Sequence, residues 1–164
     1  MGQVKIAVII NPKSGRNIRN DIEICIRQHL DCEKYHPIFY YTKYSKHAYE
    51  LAYECVSEGC SIIVAVGGDG TVNEVGAAAA ELDIIMGILP AGSGNGLARH
   101  LGISTSLVKA VETLNNGNVV TIDAGKINGT WFFCTCGVGF DARIGHKFSK
   151  LHKRGFLSYL ITTI

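Results

Sequence analysis

Short, almost continuous apolar segments recur along the first 117 residues, and most are followed by a segment with the apolar spacing of a helix. The apolar segments predict strands at residues 4–10, 38–41, 62–66 and 84–89. The helix-like segments cover residues 18–30, 46–58, 73–81, 95–101 and 105–115. Apolar strands that alternate with helices are typical of a parallel sheet covered on both faces. We therefore expect an α/β fold with an open, mostly parallel sheet and helices on both faces.

The alternation stops after residue 117. Residues 119–127 and 130–138 are predicted as the strands of a hairpin, because Asn128-Gly129 is a strong signal for a tight hairpin turn. We expect a first domain at residues 1–117 and the beginning of a second, largely β lobe at residues 118–164. The apolar helix predicted at residues 156–161 would expose its surface and favour association into a homodimer.

Composition excludes several classes of function. The formal net charge of +2 is too small to predict nucleic-acid binding. The six cysteines include no Cys-x-x-Cys pair, so neither a zinc site nor a thioredoxin-like motif is predicted. The first apolar segment is short and ends at Asn11-Pro12, unlike a signal peptide, and no apolar segment is long enough to span a bilayer. These observations predict a cytoplasmic protein that is not transmembrane.

Three loops that follow predicted strands are rich in glycine and in side chains that form hydrogen bonds. They read Asn11-Pro12-Lys13-Ser14-Gly15, Gly67-Gly68-Asp69-Gly70-Thr71 and Pro90-Ala91-Gly92-Ser93-Gly94-Asn95. Such loops converge on the carboxyl edge of a parallel sheet, where open α/β folds bind their ligands. Glycine lets the backbone approach an anion, and amides at the start of the next helix carry partial positive charge. We therefore expect a phosphate-binding edge with one carboxylate, Asp69, that manages a metal-bound phosphate or accepts a proton.

Familiar nucleotide motifs are missing from the sequence. No Walker-A loop is present, because no glycine is followed five residues later by Gly-Lys-Ser or Gly-Lys-Thr. The protein-kinase signatures are absent as well. No Gly-x-Gly-x-x-Gly motif follows the first predicted strand, so a dinucleotide-binding dehydrogenase is poorly supported.

Taken together, the three loops resemble the diacylglycerol kinase catalytic-domain family of lipid kinases, which includes diacylglycerol, sphingosine and ceramide kinases. The resemblance rests on residues 11–15, 67–75 and 89–98. The Gly-Gly-Asp-Gly-Thr motif is shared with NAD kinases, whereas the continuation Asn73-Glu74 and the segment 89–98 point to lipid kinases.

This resemblance implies that ATP and Mg²⁺ are used to transfer the γ-phosphoryl group to a hydroxyl of a diacylglycerol or a sphingoid lipid. The residues implied in nucleotide and phosphate binding are Asn11, Ser14, Gly67, Gly68, Gly70, Thr71, Ser93, Gly94 and Asn95. Asp69 is the implied catalytic residue, either as organiser of the metal-bound phosphates or as base. Asp141, in Gly137-Val138-Gly139-Phe140-Asp141, is implied in reading the lipid head group. The lipid substrate implies peripheral attachment to a membrane surface.

Two alternatives stay open. The first is an NAD kinase-like enzyme, because that class also uses Gly-Gly-Asp-Gly. The second is a nucleotide-binding fragment without catalysis. Members of the family carry a β-rich, lipid-binding second lobe that continues past the position of Ile164, and that lobe supplies much of the lipid pocket.

Overall fold

A computed structural model of the chain describes residues 2–14 and 19–134. The chain divides into two compact units, residues 1–133 and 134–164. Within the described residues, every helix and strand lies in the first unit. The domain boundary expected after residue 117 stays a prediction.

Parallel strands form the main sheet in the order β2-β1-β3-β4. They are β1 (Val4–Ile10), β2 (Tyr35–Tyr41), β3 (Ile62–Gly67) and β4 (Ile85–Pro90). β1 pairs with β2 on one side and with β3 on the other, and β4 extends the sheet beyond β3. Parallel neighbours need crossover connections, and helices provide them here. The predicted open parallel sheet is confirmed.

Helices cover both faces of this sheet. They are α1 (Arg19–His29), α2 (His47–Ser57), α3 (Asp69–Leu82), α4 (Gly96–His100) and α5 (Leu107–Asn116). Side chains of β1 alternate between two cores, with Ile9 packed in the core of α2 and α3, and Val8 in the core of α1 and α5. Burial on both faces explains why β3 and most of β1 are apolar without alternation. Among the described helices, none combines the length and the apolar character needed to cross a membrane.

The helix after the second glycine loop begins earlier than its apolar pattern predicted. The expected start was residue 73, whereas α3 begins at Asp69. Gly68 caps the helix in an extended conformation, with φ −92° and ψ −173°, and the N–H of Val72 donates to the Gly68 carbonyl at 3.1 Å. The first helical turn is therefore made from the motif itself, which has too few apolar residues to show helical spacing.

A small antiparallel hairpin follows the main sheet. Its strands are β5 (Gly125–Ile127) and β6 (Thr130–Phe132), joined by Asn128 and Gly129 with φ values of 48° and 78°. The predicted turn is thus confirmed, because both residues have the positive φ of a type I′ turn. The predicted length of the first strand is wrong, since residues 118–124 form no strand, and Val119 is 64% exposed. A strand needs a paired neighbour, and the ladders of the described residues give this segment none. Residues 135–138 of the second predicted strand lie outside the described residues.

Candidate functional site

The strand order creates a crevice between β1 and β3. From β1 the chain crosses over through α1 to β2, and from β3 it crosses through α3 to β4 on the other side. The two helices lie on opposite faces of the sheet. The carboxyl ends of β1 and β3 therefore form a topological switch point, which is where open α/β sheets bind ligands.

The loop after β1 is fastened to the loop after β3. The N–H of Asn11 donates to the Val66 carbonyl at 2.9 Å, and Asn11 Nδ2 donates to Thr71 Oγ1 at 3.0 Å. On the same loop, Ser14 Oγ accepts a hydrogen bond from the N–H of Gly68 at 3.3 Å. Asn11 and Ser14 therefore shape the rim of the crevice, and their predicted part in nucleotide binding stays a prediction.

The loop after β4 touches the same place. The N–H of Ala91 donates to the Gly67 carbonyl at 2.8 Å, and a Cβ atom at Gly92 would lie 2.5 Å from the Cα of Gly68. Because real Cβ contacts are almost never that short, glycine at position 92 allows the two loops to meet backbone to backbone. The predicted convergence of the three loops is seen in the structure.

Asn95 closes the third loop on itself. Its Nδ2 donates to the Gly92 carbonyl at 2.6 Å, and its Oδ1 accepts from the Gly92 N–H at 2.9 Å. The residue is 5% exposed and its backbone is left-handed, with φ 56°. Asparagine is one of the few residues other than glycine that adopts this conformation readily. Asn95 is therefore a loop-shaping residue, while Ser93 and Gly94 lie exposed at the tip.

The carboxylate of Asp69 bridges the second and third loops. Its Oδ2 accepts from the N–H of Asn95 at 2.9 Å, and its Oδ1 accepts from the N–H of Gly96 at 2.6 Å. A Cβ atom at Gly94 would lie 2.5 Å from Oδ2, so this position admits no side chain without a shift. Asp69 is nevertheless exposed to solvent, so its carboxylate is both anchored and open to a ligand.

Backbone donors gather beside this carboxylate. Asp69, Gly70 and Thr71 form the first turn of α3, and amides in a first turn have no acceptor within their own helix. The helix dipole adds partial positive charge at that end. A Cβ atom at Gly70 would meet nothing within 4 Å, so there is open space over this turn. The arrangement suits a phosphate group.

A fourth loop, which the sequence analysis did not single out, lies at the same edge. The N–H of Thr42, just after β2, donates to the Ile10 carbonyl at 2.9 Å. The loop then runs over residues 42–46 to α2, where Glu74 accepts from the N–H of Lys46 at 2.9 Å and from that of Ala48 at 3.2 Å. The position of this loop follows from the topology of the sheet. Because β2 is parallel to β1, the loop after β2 emerges at the same edge as the loop after β1.

Gly15 and Asp141 lie outside the described residues, so the acceptor-side prediction for Asp141 stays a prediction. In the parts of the chain that the structure describes, no group of three or more His, Cys, Asp or Glu side chains could hold a metal ion.

The chain matches the diacylglycerol kinase catalytic domain over residues 5–127, a range that contains all three glycine loops and Asp69. The chain belongs to the diacylglycerol kinase catalytic-domain family. The resemblance drawn from the three motifs is thereby confirmed.

Individual members of the diacylglycerol kinase catalytic-domain family agree with this assignment. The chain is 36% identical to a diacylglycerol kinase of Bacillus subtilis (strain 168) over 135 residues, covering 80% of this chain and 45% of that protein. It is 32% identical to a Cronobacter sakazakii protein named "Probable lipid kinase YegS-like" over 164 residues, covering 94% of this chain and 53% of that protein. A crystal structure of a diacylglycerol kinase from Bacillus anthracis str. Sterne superposes with a TM-score of 0.66 at 26% identity, covering 80% of this chain and 46% of that one. The chain thus spans about half the length of these relatives.

Proposed function

We propose that the protein is an ATP-dependent lipid kinase that transfers the γ-phosphoryl group to a hydroxyl of a diacylglycerol or sphingoid-type lipid. The observation that carries the proposal is the joining of three loops around the first turn of α3, at the switch point of the sheet. Membership of a family of lipid kinases supports the reaction class.

Nucleotide binding is assigned to the rim of the crevice. The residues proposed to bind or shape the site for the phosphates are Asn11, Ser14, Gly67, Gly68, Gly70, Thr71, Ser93, Gly94 and Asn95. Two kinds of contribution are distinguished by the hydrogen bonds. Asn11 and Asn95 bond to other parts of the loops and fix their shape. The amides around Gly70 in the first turn of α3 remain to receive phosphate oxygens.

Asp69 is proposed as the catalytic carboxylate, acting as organiser. Both of its oxygens already accept backbone hydrogen bonds from the third loop, which supports a positioning role over proton abstraction. Phosphoryl transfer depends mainly on positioning and charge neutralisation, so such a role suffices. In the reaction, the lipid hydroxyl oxygen bonds to the γ-phosphorus as the bond to the ADP oxygen breaks, and the hydroxyl proton is released.

Magnesium is implied by the reaction class, and the rim suits it. Mg²⁺ usually keeps several waters and binds one or two carboxylates together with substrate phosphates. One carboxylate, Asp69, beside a phosphate-binding turn therefore matches an ion that arrives with the nucleotide. Mg²⁺ would neutralise phosphate charge during transfer.

The acceptor side is assigned on the sequence motif alone. Asp141 is proposed to contact the lipid head group, and the substrate implies that the enzyme acts peripherally at a membrane surface in the cytoplasm.

A product analysis tests the proposal. The full-length protein is incubated with γ-labelled ATP, Mg²⁺, a total lipid extract and NAD, and the products are separated and identified by mass spectrometry. We expect label in a phosphorylated lipid. Label in NADP in place of lipid would establish an NAD kinase, and ATP binding with no labelled product would establish a non-catalytic module.

A further inference from the structure

Helix α3 carries a second carboxylate that reaches a different loop from Asp69. Glu74 lies five residues after Asp69 and faces the start of α2. Its Oε1 accepts from the N–H of Lys46 and its Oε2 from the N–H of Ala48, so both oxygens are used. The two carboxylates of one helix therefore fasten the loops on either side of the crevice, Asp69 the loop after β4 and Glu74 the loop after β2.

The bonds to Glu74 coincide with an unusual backbone conformation. Lys46, the residue that caps α2, has φ 70° and ψ −3° and makes no side-chain capping bond. A lysine in the left-handed region is uncommon and persists where its surroundings impose it. Glu74 supplies such a constraint, because it receives the N–H of Lys46 itself and that of Ala48 in the first turn of the helix.

The loop held in this way starts beside the phosphate-binding rim. The N–H of Thr42 donates to the carbonyl of Ile10, which directly precedes Asn11. The pairing of β2 with β1 therefore extends to the start of the first glycine loop. Between Thr42 and α2 the N–H of Lys43 donates to Nδ1 of the buried His47 at 3.1 Å. The loop is therefore ordered at both ends, and it carries two exposed lysines, Lys43 and Lys46, at the sheet edge where the proposed phosphate site lies.

We propose that Glu74 is a positioning residue that holds the β2–α2 loop, residues 42–46, as a wall of the nucleotide crevice. The proposal rests on the proposed ATP site. If Glu74 only stabilised the fold, its loss would not change the affinity for ATP. As a positioning residue, Glu74 links the backbone conformation at Lys46 to that affinity.

The first test uses Glu74→Gln in the full-length protein, with Glu112→Gln on the exposed surface of α5 as the matched control. The glutamine amide places a donor against one of the two N–H groups, so that bond is lost. We expect the Kd for ATP·Mg²⁺ by calorimetry, and the KM for ATP, to rise about tenfold. The kcat at saturating ATP should stay within about twofold, because Glu74 is not expected to touch the reacting atoms.

A second pair of variants isolates the backbone conformation from charge. Lys46→Gly and Lys46→Val both remove the ammonium group, but glycine accepts a positive φ whereas a β-branched residue is strained there. We expect Lys46→Val to weaken ATP binding at least as much as Glu74→Gln does, and Lys46→Gly to bind ATP several-fold more tightly than Lys46→Val; a loss that the two variants share reports the missing ammonium group. This pair decides the question even if Glu74→Gln fails to fold.

The outcomes separate this inference from the proposed function. A thermal midpoint lowered by Glu74→Gln with an unchanged Kd and KM for ATP would make Glu74 a helix cap only and overturn the inference. Equal Kd values for the two Lys46 variants would overturn it as well. The wild-type protein could phosphorylate no lipid while its affinity for ATP still depends on Glu74 as described. That result would overturn the proposed lipid kinase function and support the role of Glu74.

Discussion

At the scale of single residues, the close approach of two glycine loops leaves no room for a side chain at position 92. We expect Gly92→Ala to destabilise the protein by about 1–3 kcal/mol, because the new methyl group meets the backbone of Gly68, which cannot move without shifting the loop. Gly70→Ala is the contrasting variant. Its methyl group meets open space, so we expect unchanged or slightly higher stability but weaker ATP binding. Chemical denaturation and ATP titration distinguish the two effects, and equal losses of stability would contradict this account.

The negative charge of Asp69 is central to the proposed phosphoryl transfer. We expect Asp69→Asn to lower lipid phosphorylation by about a hundredfold or more. We also expect it to cost about 1–2 kcal/mol of folding free energy, because the amide cannot accept both N–H groups of the third loop. Asp83→Asn at the other end of α3 is the control, since asparagine tolerates the left-handed conformation found there. Normal turnover by Asp69→Asn in the radiolabelled assay would remove Asp69 from the mechanism.

Residue identities in the site could be read from the sequence to different extents. Asn11, Ser14 and the glycines were predictable, because glycine and hydrogen-bonding residues at strand ends indicate ligand loops. The partners of Asp69 were not, because its bonds to Asn95 and Gly96 join residues 26 and 27 positions apart with no periodic signal. The bonds made by Glu74 were hidden for the same reason.

At the scale of elements, the hairpin is held on α3 by a carboxylate shared among aromatic side chains. Glu81 accepts hydrogen bonds from the hydroxyls of Tyr49 and Tyr53 and from Trp131 Nε1, at 2.6, 2.8 and 2.9 Å. These bonds, that of Tyr49 first, lower the pKa of Glu81 below its ordinary value of 4.5. A carboxyl whose pKa is lowered by folding stabilises the folded state above its ordinary pKa and loses that contribution as the pH falls through the lowered value.

Trp131 is the single tryptophan of the sequence, so its fluorescence reports on this docking. We expect a reversible change in its emission as the pH falls below about 4.5. Glu81→Gln should remove that change. Glu23→Gln on α1 should preserve it, although Glu23 also accepts a tyrosine hydroxyl and also has a lowered pKa. An identical titration in Glu81→Gln would show that Glu81 does not hold the hairpin.

Elements were predictable where burial imposes a pattern. β1 matches its predicted bounds because both of its faces are covered, and the Asn128-Gly129 turn is local chemistry. The start of α3 was missed because its first turn is built from glycines and polar residues. The strand predicted at residues 119–127 was wrong over residues 119–124, because apolar side chains do not reveal whether a pairing partner exists.

At the scale of the whole molecule, the strand order explains why these motifs belong together. Because β1 lies beside β3, residues near 11, 69 and 95 meet at one switch point. The strand order itself cannot be read from any local sequence pattern. The family match agrees with this arrangement, and the chain covers about half of its relatives' length. We therefore expect the choice of acceptor lipid to depend on more of the protein than the described residues.

Binding of ATP·Mg²⁺ to the rim is the central claim, and a heteronuclear NMR titration of the isotopically labelled full-length protein tests it most directly. The account predicts that ATP·Mg²⁺ shifts the amide signals of Gly70, Thr71 and Gly94, while NAD leaves them in place. The amide of Gly117, near Tyr35 at the amino end of β2, should stay unchanged. Unchanged amide signals of these rim residues on addition of ATP·Mg²⁺, or shifts on addition of NAD instead, would contradict ATP binding at the rim.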